Sequence, residues 1–122
     1  MDRHVSWIIE VALKDGALDA YTELMEEMVA GTGTEPQTLA YEWYISADER
    51  TVHIFEKYAT SESMVSHVSG FLEKWAQRFL TCVDVTRFVV YGDPSPEARA
   101  LLEGFGPVYL GPWGGFSRFV ES

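Results

Sequence analysis

Residues 38–59, TLAYEWYISADERTVHIFEKYA, contain two strand patterns joined by a short polar connection. In the first pattern the larger apolar side chains alternate along one face, at Leu39, Tyr41, Trp43 and Ile45. The second pattern begins at Thr51, directly after the polar residues 46–50. Because so short a connection joins neighbouring strands that run in opposite directions, this stretch predicts an antiparallel β-hairpin.

The segments on either side of the hairpin complete a known element order. They predict a strand at 4–13, a helix at 17–30 that ends at Gly31, a helical region interrupted at Gly70, and a strand at 82–92. The order β-α-β-β-α-β is that of the ferredoxin-like α+β fold, in which helices cover one face of a four-stranded antiparallel sheet. We therefore expect one domain over residues 1–122, with its core at 4–92 and a C-terminal extension at 93–122.

The face of the sheet that the helices leave uncovered also carries large apolar side chains, according to the same alternation. A sheet that is apolar on both faces needs a second cover. In this fold the usual cover is another copy of the sheet. We therefore expect a homodimer in which the two sheets pack face to face.

The C-terminal extension has two parts. Ser95 as N-cap, Pro96 at the first helical position and Gly104 at the end predict a short helix. Residues 105–119, FGPVYLGPWGGFSRF, combine aromatic residues with glycine and proline and cannot form a regular helix. We expect an arm, extended around 108–110, that packs on its own subunit or crosses to the partner rather than closing over a ligand.

Composition and charge exclude several classes of function. The formal net charge is −10 and no segment gathers Lys or Arg, so nucleic acid and anionic membranes are poor partners. The N-terminus lacks a signal-peptide pattern and no apolar run approaches the ~20 residues of a membrane-spanning helix, which favours a cytoplasmic protein. One cysteine and three widely spaced histidines predict neither a disulfide nor a metal site.

A short motif at the end of the hairpin resembles a known family. The strand ends in Glu56 and Tyr58, and the next helix carries Ser61, Glu62 and His67. This pattern is similar to that of the antibiotic biosynthesis monooxygenase family, whose members are dimeric α/β barrels. The resemblance implies a reaction without a cofactor, in which a phenol or hydroquinone is oxidised directly by O₂. The protein would then remove a proton, exclude water and orient the ring.

His67 is the candidate base, because an ordinary imidazole titrates near neutral pH. The candidate substrate pocket consists of Trp43, Tyr44, Glu56, Tyr58 and Trp75. Each role has a structural alternative: His67 can serve a purely structural hydrogen bond, Trp43 can belong to the core, and Glu56 can pair with Arg87 or Lys57.

One absence separates this sequence from two branches of the family. Haem-degrading enzymes and a quinone-forming monooxygenase of polyketides rely on an asparagine in the pocket, and this chain has no asparagine. Their catalytic residues cannot be transferred intact. The competing hypothesis is therefore a non-enzymatic dimeric barrel that binds a hydrophobic small molecule or acts as an accessory subunit.

Overall fold

The computed structural model of the protein describes residues 3–118. The β-strands are β1 (Val5–Leu13), β2 (Thr38–Ile45), β3 (Thr51–Tyr58), β4 (Val83–Tyr91) and β5 (Val108–Leu110). The helices are α1 (Leu18–Thr32), α2 (Ser61–Lys74), α3 (Ala76–Cys82) and α4 (Pro96–Leu102), followed by a 3₁₀ turn at Glu103–Phe105.

The strands form one sheet in the order β2-β3-β1-β4-β5, which confirms the predicted ferredoxin-like α+β fold. The neighbouring pairs β2–β3, β3–β1 and β1–β4 are antiparallel. The prediction of four strands was wrong, because β5 adds a short parallel edge strand beside β4. Tyr91 pairs with Leu110 there, so the arm lies on its own subunit at least as far as Leu110.

The helical region between β3 and β4 breaks at Trp75 rather than at Gly70. Thr60 and Ser63 form a reciprocal capping box at the start of α2, and Gly70 lies inside that helix. At Trp75 the backbone leaves helical geometry, and its ring packs against Gly31 in α1. A Cβ atom on Gly31 would lie 2.7 Å from this indole, so Gly31 makes room for the ring instead of ending its helix.

The helices bury one face of the sheet almost completely. In β1 every second residue, Val5, Trp7, Ile9 and Val11, is at most 8% exposed. Alternation places Ile8 and Glu10 on the other face, where the Glu10 carboxylate lies 3.2 Å from the His53 imidazole. This uncovered face is thus mixed, with apolar positions beside polar ones, and less apolar than the sequence pattern predicts.

The arm beyond β5 is largely exposed. Trp113 is fully exposed and Phe116 is 79% exposed. Residues 119–122, which belong to the predicted extension, lie outside the described part of the chain. No helix within residues 3–118 has the length and apolar character needed to cross a membrane.

Candidate active site

An apolar cavity of about 50 Å³ lies between the covered face of the sheet and the helices. Its wall consists of Trp7, Ile9, Met28, Tyr41, Ile54, Glu56, His67, Val68, Phe71, Phe79, Phe88, Leu102 and Phe105. Phe105 comes from the 3₁₀ turn, so the extension completes the wall of a cavity that the core elements begin. For comparison, an engineered cavity of about 150 Å³ admits benzene. In this form the cavity is too small for an aromatic ring.

Strand register brings the polar groups of the wall together. Glu56 and Tyr58 are two residues apart in β3 and therefore point to the same face. Glu56 is opposite Trp7 on one side and Tyr41 on the other. The capping box that starts α2 sets the helix over this face and brings His67 against the strand.

The His67 imidazole lies between two carboxyl groups. Its Nδ1 atom is 2.9 Å from Oε1 of Glu35, in the connection between α1 and β2. Its Nε2 atom is 3.5 Å from Oε1 of Glu56. The residue is only 5% exposed, and its ring contacts Tyr41 and Tyr58 with ring-centroid distances of 5.5 and 5.3 Å.

Glu56 is a buried carboxyl group with a perturbed titration. Burial raises its pKa, and the nearby His67 and the hydrogen bond from Tyr58 oppose that rise only in part. The Tyr58 hydroxyl donates this hydrogen bond to Glu56 Oε1. Burial, together with the Glu56 charge, also raises the pKa of Tyr58, so this phenol stays protonated. The site therefore offers an imidazole beside a carboxyl group whose pKa is raised by burial.

Four of the five predicted pocket residues lie outside the cavity wall. Tyr58 adjoins the wall through its contacts with Glu56 and His67, whereas the other three lie farther away. Tyr44 is 57% exposed on the uncovered face, where its hydroxyl donates to Glu42. Trp43 faces the helices but packs against the rings of Tyr21 and Tyr41, outside the cavity wall. Trp75 packs between α1 and the end of α2. Trp43 and Tyr44 instead both line a surface pocket beside α1, which is separate from the cavity.

The alternative pairing of Glu56 with Arg87 or Lys57 is wrong. Lys57 neighbours Glu56 in the strand and so points to the opposite face. Arg87 is opposite Glu10, also on that uncovered face. The Glu56 carboxyl contacts His67 and Tyr58 instead.

Sequence reasoning missed Glu35 and Tyr41. Glu35 is 32 residues from His67 in a loop without regular structure, and no periodic pattern in the sequence points to such a contact. Tyr41 was assigned to a strand face, but its position opposite Glu56 depends on the hairpin register. Within residues 3–118, no group of three or more His, Cys, Asp or Glu side chains has a metal-binding arrangement.

Fold and site together define a ferredoxin-like protein with a buried acid–base cluster at a small apolar cavity. The sequence profile of the antibiotic biosynthesis monooxygenase family matches residues 5–71, which include β1 to β3 and most of α2. The chain belongs to this family. No functionally curated protein matches the chain.

Solved structures show the same fold. MupZ from Pseudomonas fluorescens is 21% identical with a TM-score of 0.84, and the match covers 97% of this chain and 91% of that one. A Mycobacterium tuberculosis protein is 24% identical with a TM-score of 0.61, over 75% of this chain and 96% of that one. SnoaB from Streptomyces nogalater, a cofactor-independent oxygenase solved as an asparagine-to-alanine variant, is 8% identical with a TM-score of 0.63, over 76% and 95%.

Proposed function

We propose that this protein is a cofactor-independent monooxygenase that oxidises a small aromatic or quinol substrate with O₂, with His67 as the base. The observation that carries the proposal is a buried imidazole on the wall of an apolar cavity, in a chain of the monooxygenase family. A base in a dry cavity can take a phenolic proton and then shield the resulting anion from water.

The proposed chemistry follows from the triplet ground state of O₂. Triplet O₂ reacts slowly with closed-shell molecules, but a phenolate can transfer one electron to it and recombine as a hydroperoxide on a ring carbon. Loss of water from this hydroperoxide leaves a carbonyl group. A phenol and O₂ thus give a quinone and one water, and His67 returns the proton that it removed.

The wall of the cavity favours a neutral and hydrophobic substrate. Among the described residues that line it, the ionisable groups are Tyr41, Glu56 and His67, and none is Lys or Arg. A substrate with its own carboxylate or phosphate would enter an apolar space beside Glu56 without a cationic partner. Such a burial is strongly unfavourable.

A ring can enter only if the wall moves. Phe105 is partly exposed, belongs to the short 3₁₀ turn, and precedes Gly106, whose φ of 65° is left-handed. Phe105 lies on the cavity wall but outside the sheet, so its side chain can move without breaking a strand pair. We therefore place the substrate entrance at Phe105.

The test is oxygen consumption by metal-stripped protein with a panel of neutral hydroquinones and polycyclic phenols. We expect uptake above the autoxidation rate of at least one substrate, one O₂ consumed per quinone formed. Carboxylated analogues of the same ring should be poorer substrates. Uptake no faster than autoxidation across the panel would overturn the proposal.

A second candidate is a non-enzymatic protein that binds a hydrophobic small molecule or acts as an accessory subunit, and the small volume of the cavity favours it. Typical ligand sites are several hundred Å³ in volume. A cavity of about 50 Å³ therefore leaves little room for a substrate to react. Saturable binding of the same phenols, measured by calorimetry, without oxygen uptake would support this alternative.

The uncovered sheet face supports a homodimer, which we propose as the working form. Ile8 and Phe55 are adjacent in register at its centre and only half-buried in a single chain. We expect Phe55→Lys to weaken self-association by about tenfold or more, because it places a charge in an apolar interface. Sedimentation velocity over a concentration series measures this effect.

Leu72→Lys is the matched control for this experiment. Leu72 is 42% exposed on α2, on the helical side of the molecule, so the same charge there should leave the dimer intact. Equal sedimentation of the Phe55→Lys variant and the wild type would contradict the face-to-face dimer.

A further inference from the structure

The Glu35 carboxylate is held in place from several directions. Its backbone N–H donates to the Thr32 carbonyl at 2.9 Å, and its own carbonyl accepts from the Thr38 N–H at 3.2 Å. The Thr38 hydroxyl donates to Glu35 Oε1 at 2.8 Å. This is the same oxygen that lies 2.9 Å from His67 Nδ1. The turn therefore fixes the carboxylate at one edge of the imidazole before any substrate arrives.

A fixed acceptor at Nδ1 determines which ring nitrogen carries the proton. An ionised carboxylate has only acceptor sites, so a hydrogen bond to it requires a proton on Nδ1. In the neutral ring Nε2 is then unprotonated, and Nε2 is the nitrogen on the Glu56 side. The Nε2 lone pair thus faces Glu56, which is part of the cavity wall.

We propose that Glu35 is a positioning residue that holds His67 in the Nδ1-protonated form and so presents Nε2 as the base. The inference rests on the proposed function for its catalytic consequence, but the tautomer itself can be observed without any substrate. The charged or titratable groups that face the ring are Glu35 from the α1–β2 connection, Glu56 and Tyr58 from β3, and Tyr41 from β2.

The contact differs from an ordinary surface pair elsewhere in the same chain. His53 and Glu10 also approach closely, at 3.2 Å, but the His53 side chain is 47% exposed and water can satisfy either nitrogen. The His67 side chain is 4% exposed, so its hydrogen-bond partner must come from the protein. The Glu35 side chain is one-third exposed and avoids most of the cost of a buried charge.

The experiment is ¹⁵N NMR of the histidine side chains in the full-length protein, at a pH where His67 is neutral. We expect the wild type to show the Nδ1-protonated tautomer at His67. Glu35→Gln should retain it, because the amide oxygen still accepts, whereas Glu35→Leu should lose it. Glu27→Gln is the control, since it removes the same charge from an exposed ion pair with Arg78.

Kinetics extend the test to the reaction. If the panel yields a substrate, Glu35→Leu should lower kcat about tenfold or more with little change in KM, and Glu35→Gln should restore most of the loss. An Nε2-protonated His67 in the wild type, or an unchanged tautomer in Glu35→Leu, would overturn the role of Glu35. If the tautomer responds as expected but no substrate consumes oxygen, the proposed oxygenase activity fails and the positioning role stands.

Discussion

Replacing His67 by alanine is expected to reduce oxygen consumption by about 100- to 10,000-fold, the usual contribution of a general base. Among the described residues that line the cavity, His67 is the one that carries a nitrogen base, and burial keeps the nearby Tyr58 phenol protonated. Loss of the imidazole therefore removes proton acceptance rather than substrate binding. The measurement is initial oxygen uptake with the best quinol of the panel, at several pH values.

His67→Gln separates proton transfer from packing. Alanine leaves a void and removes one partner from each of Glu35 and Glu56. Glutamine fills part of the space and can still hydrogen-bond to Glu35 without a basic nitrogen. Both variants should be inactive, and the glutamine variant should be the more stable in urea. His53→Ala, which removes an exposed imidazole on the opposite face, should retain activity. Oxygen uptake by His67→Gln at the wild-type rate would eliminate His67 as the base.

Glu56→Gln is expected to stabilise the fold increasingly as pH rises above about 4.5, the ordinary pKa of this side chain. Because burial raises the pKa of Glu56 in the folded state, the native protein holds this proton more tightly than the unfolded chain does. Ionising the group then lowers the free energy of unfolding as pH rises from the unfolded pKa to the folded one. One proton can contribute at most about 1.4 kcal/mol per pH unit. Glutamine stays neutral and avoids this loss.

Urea unfolding of the wild type and Glu56→Gln between pH 4.5 and 8 measures the difference. Glu27→Gln provides a control of opposite sign, because the hydrogen bond from Arg78 lowers the pKa of that exposed carboxyl. Its removal should cost a little stability at neutral pH, where the ion pair is formed. A constant difference between wild type and Glu56→Gln across the pH range would mean that Glu56 ionises in the folded state as it does in the unfolded chain.

The sequence predicted the fold well because its signals are local. Period-two patterns located β1 to β4 to within a residue or two. The helix break was misplaced because the choice between Gly70 and Trp75 depends on packing against α1, which intrinsic propensity does not contain. The fifth strand follows from pairing with β4, a contact between distant segments.

The sequence predicted a site residue only where a single helix or strand determines its position. His67 was identified from its residue type and its position on α2. Glu35 was not, because a loop carboxylate gains its role solely through a contact with a residue 32 positions away. Tyr44 was assigned to the pocket on residue type alone. It follows Trp43 in β2, so alternation directs its side chain to the opposite face of the sheet, away from the cavity. Residue chemistry thus pointed to His67, and strand register decided which side chains lie around it.

The exposed end of the arm carries Trp113, whose intrinsic fluorescence can report on the position of the arm. The chain has four tryptophans, and the indoles of Trp7 and Trp75 are almost entirely shielded from solvent, whereas that of Trp113 is fully open to it. Emission from Trp113 should therefore be the component most easily quenched by iodide. Any surface that comes to cover the arm, from the same subunit or another, would protect that component. The position of the arm can thus be followed in solution without attaching a dye.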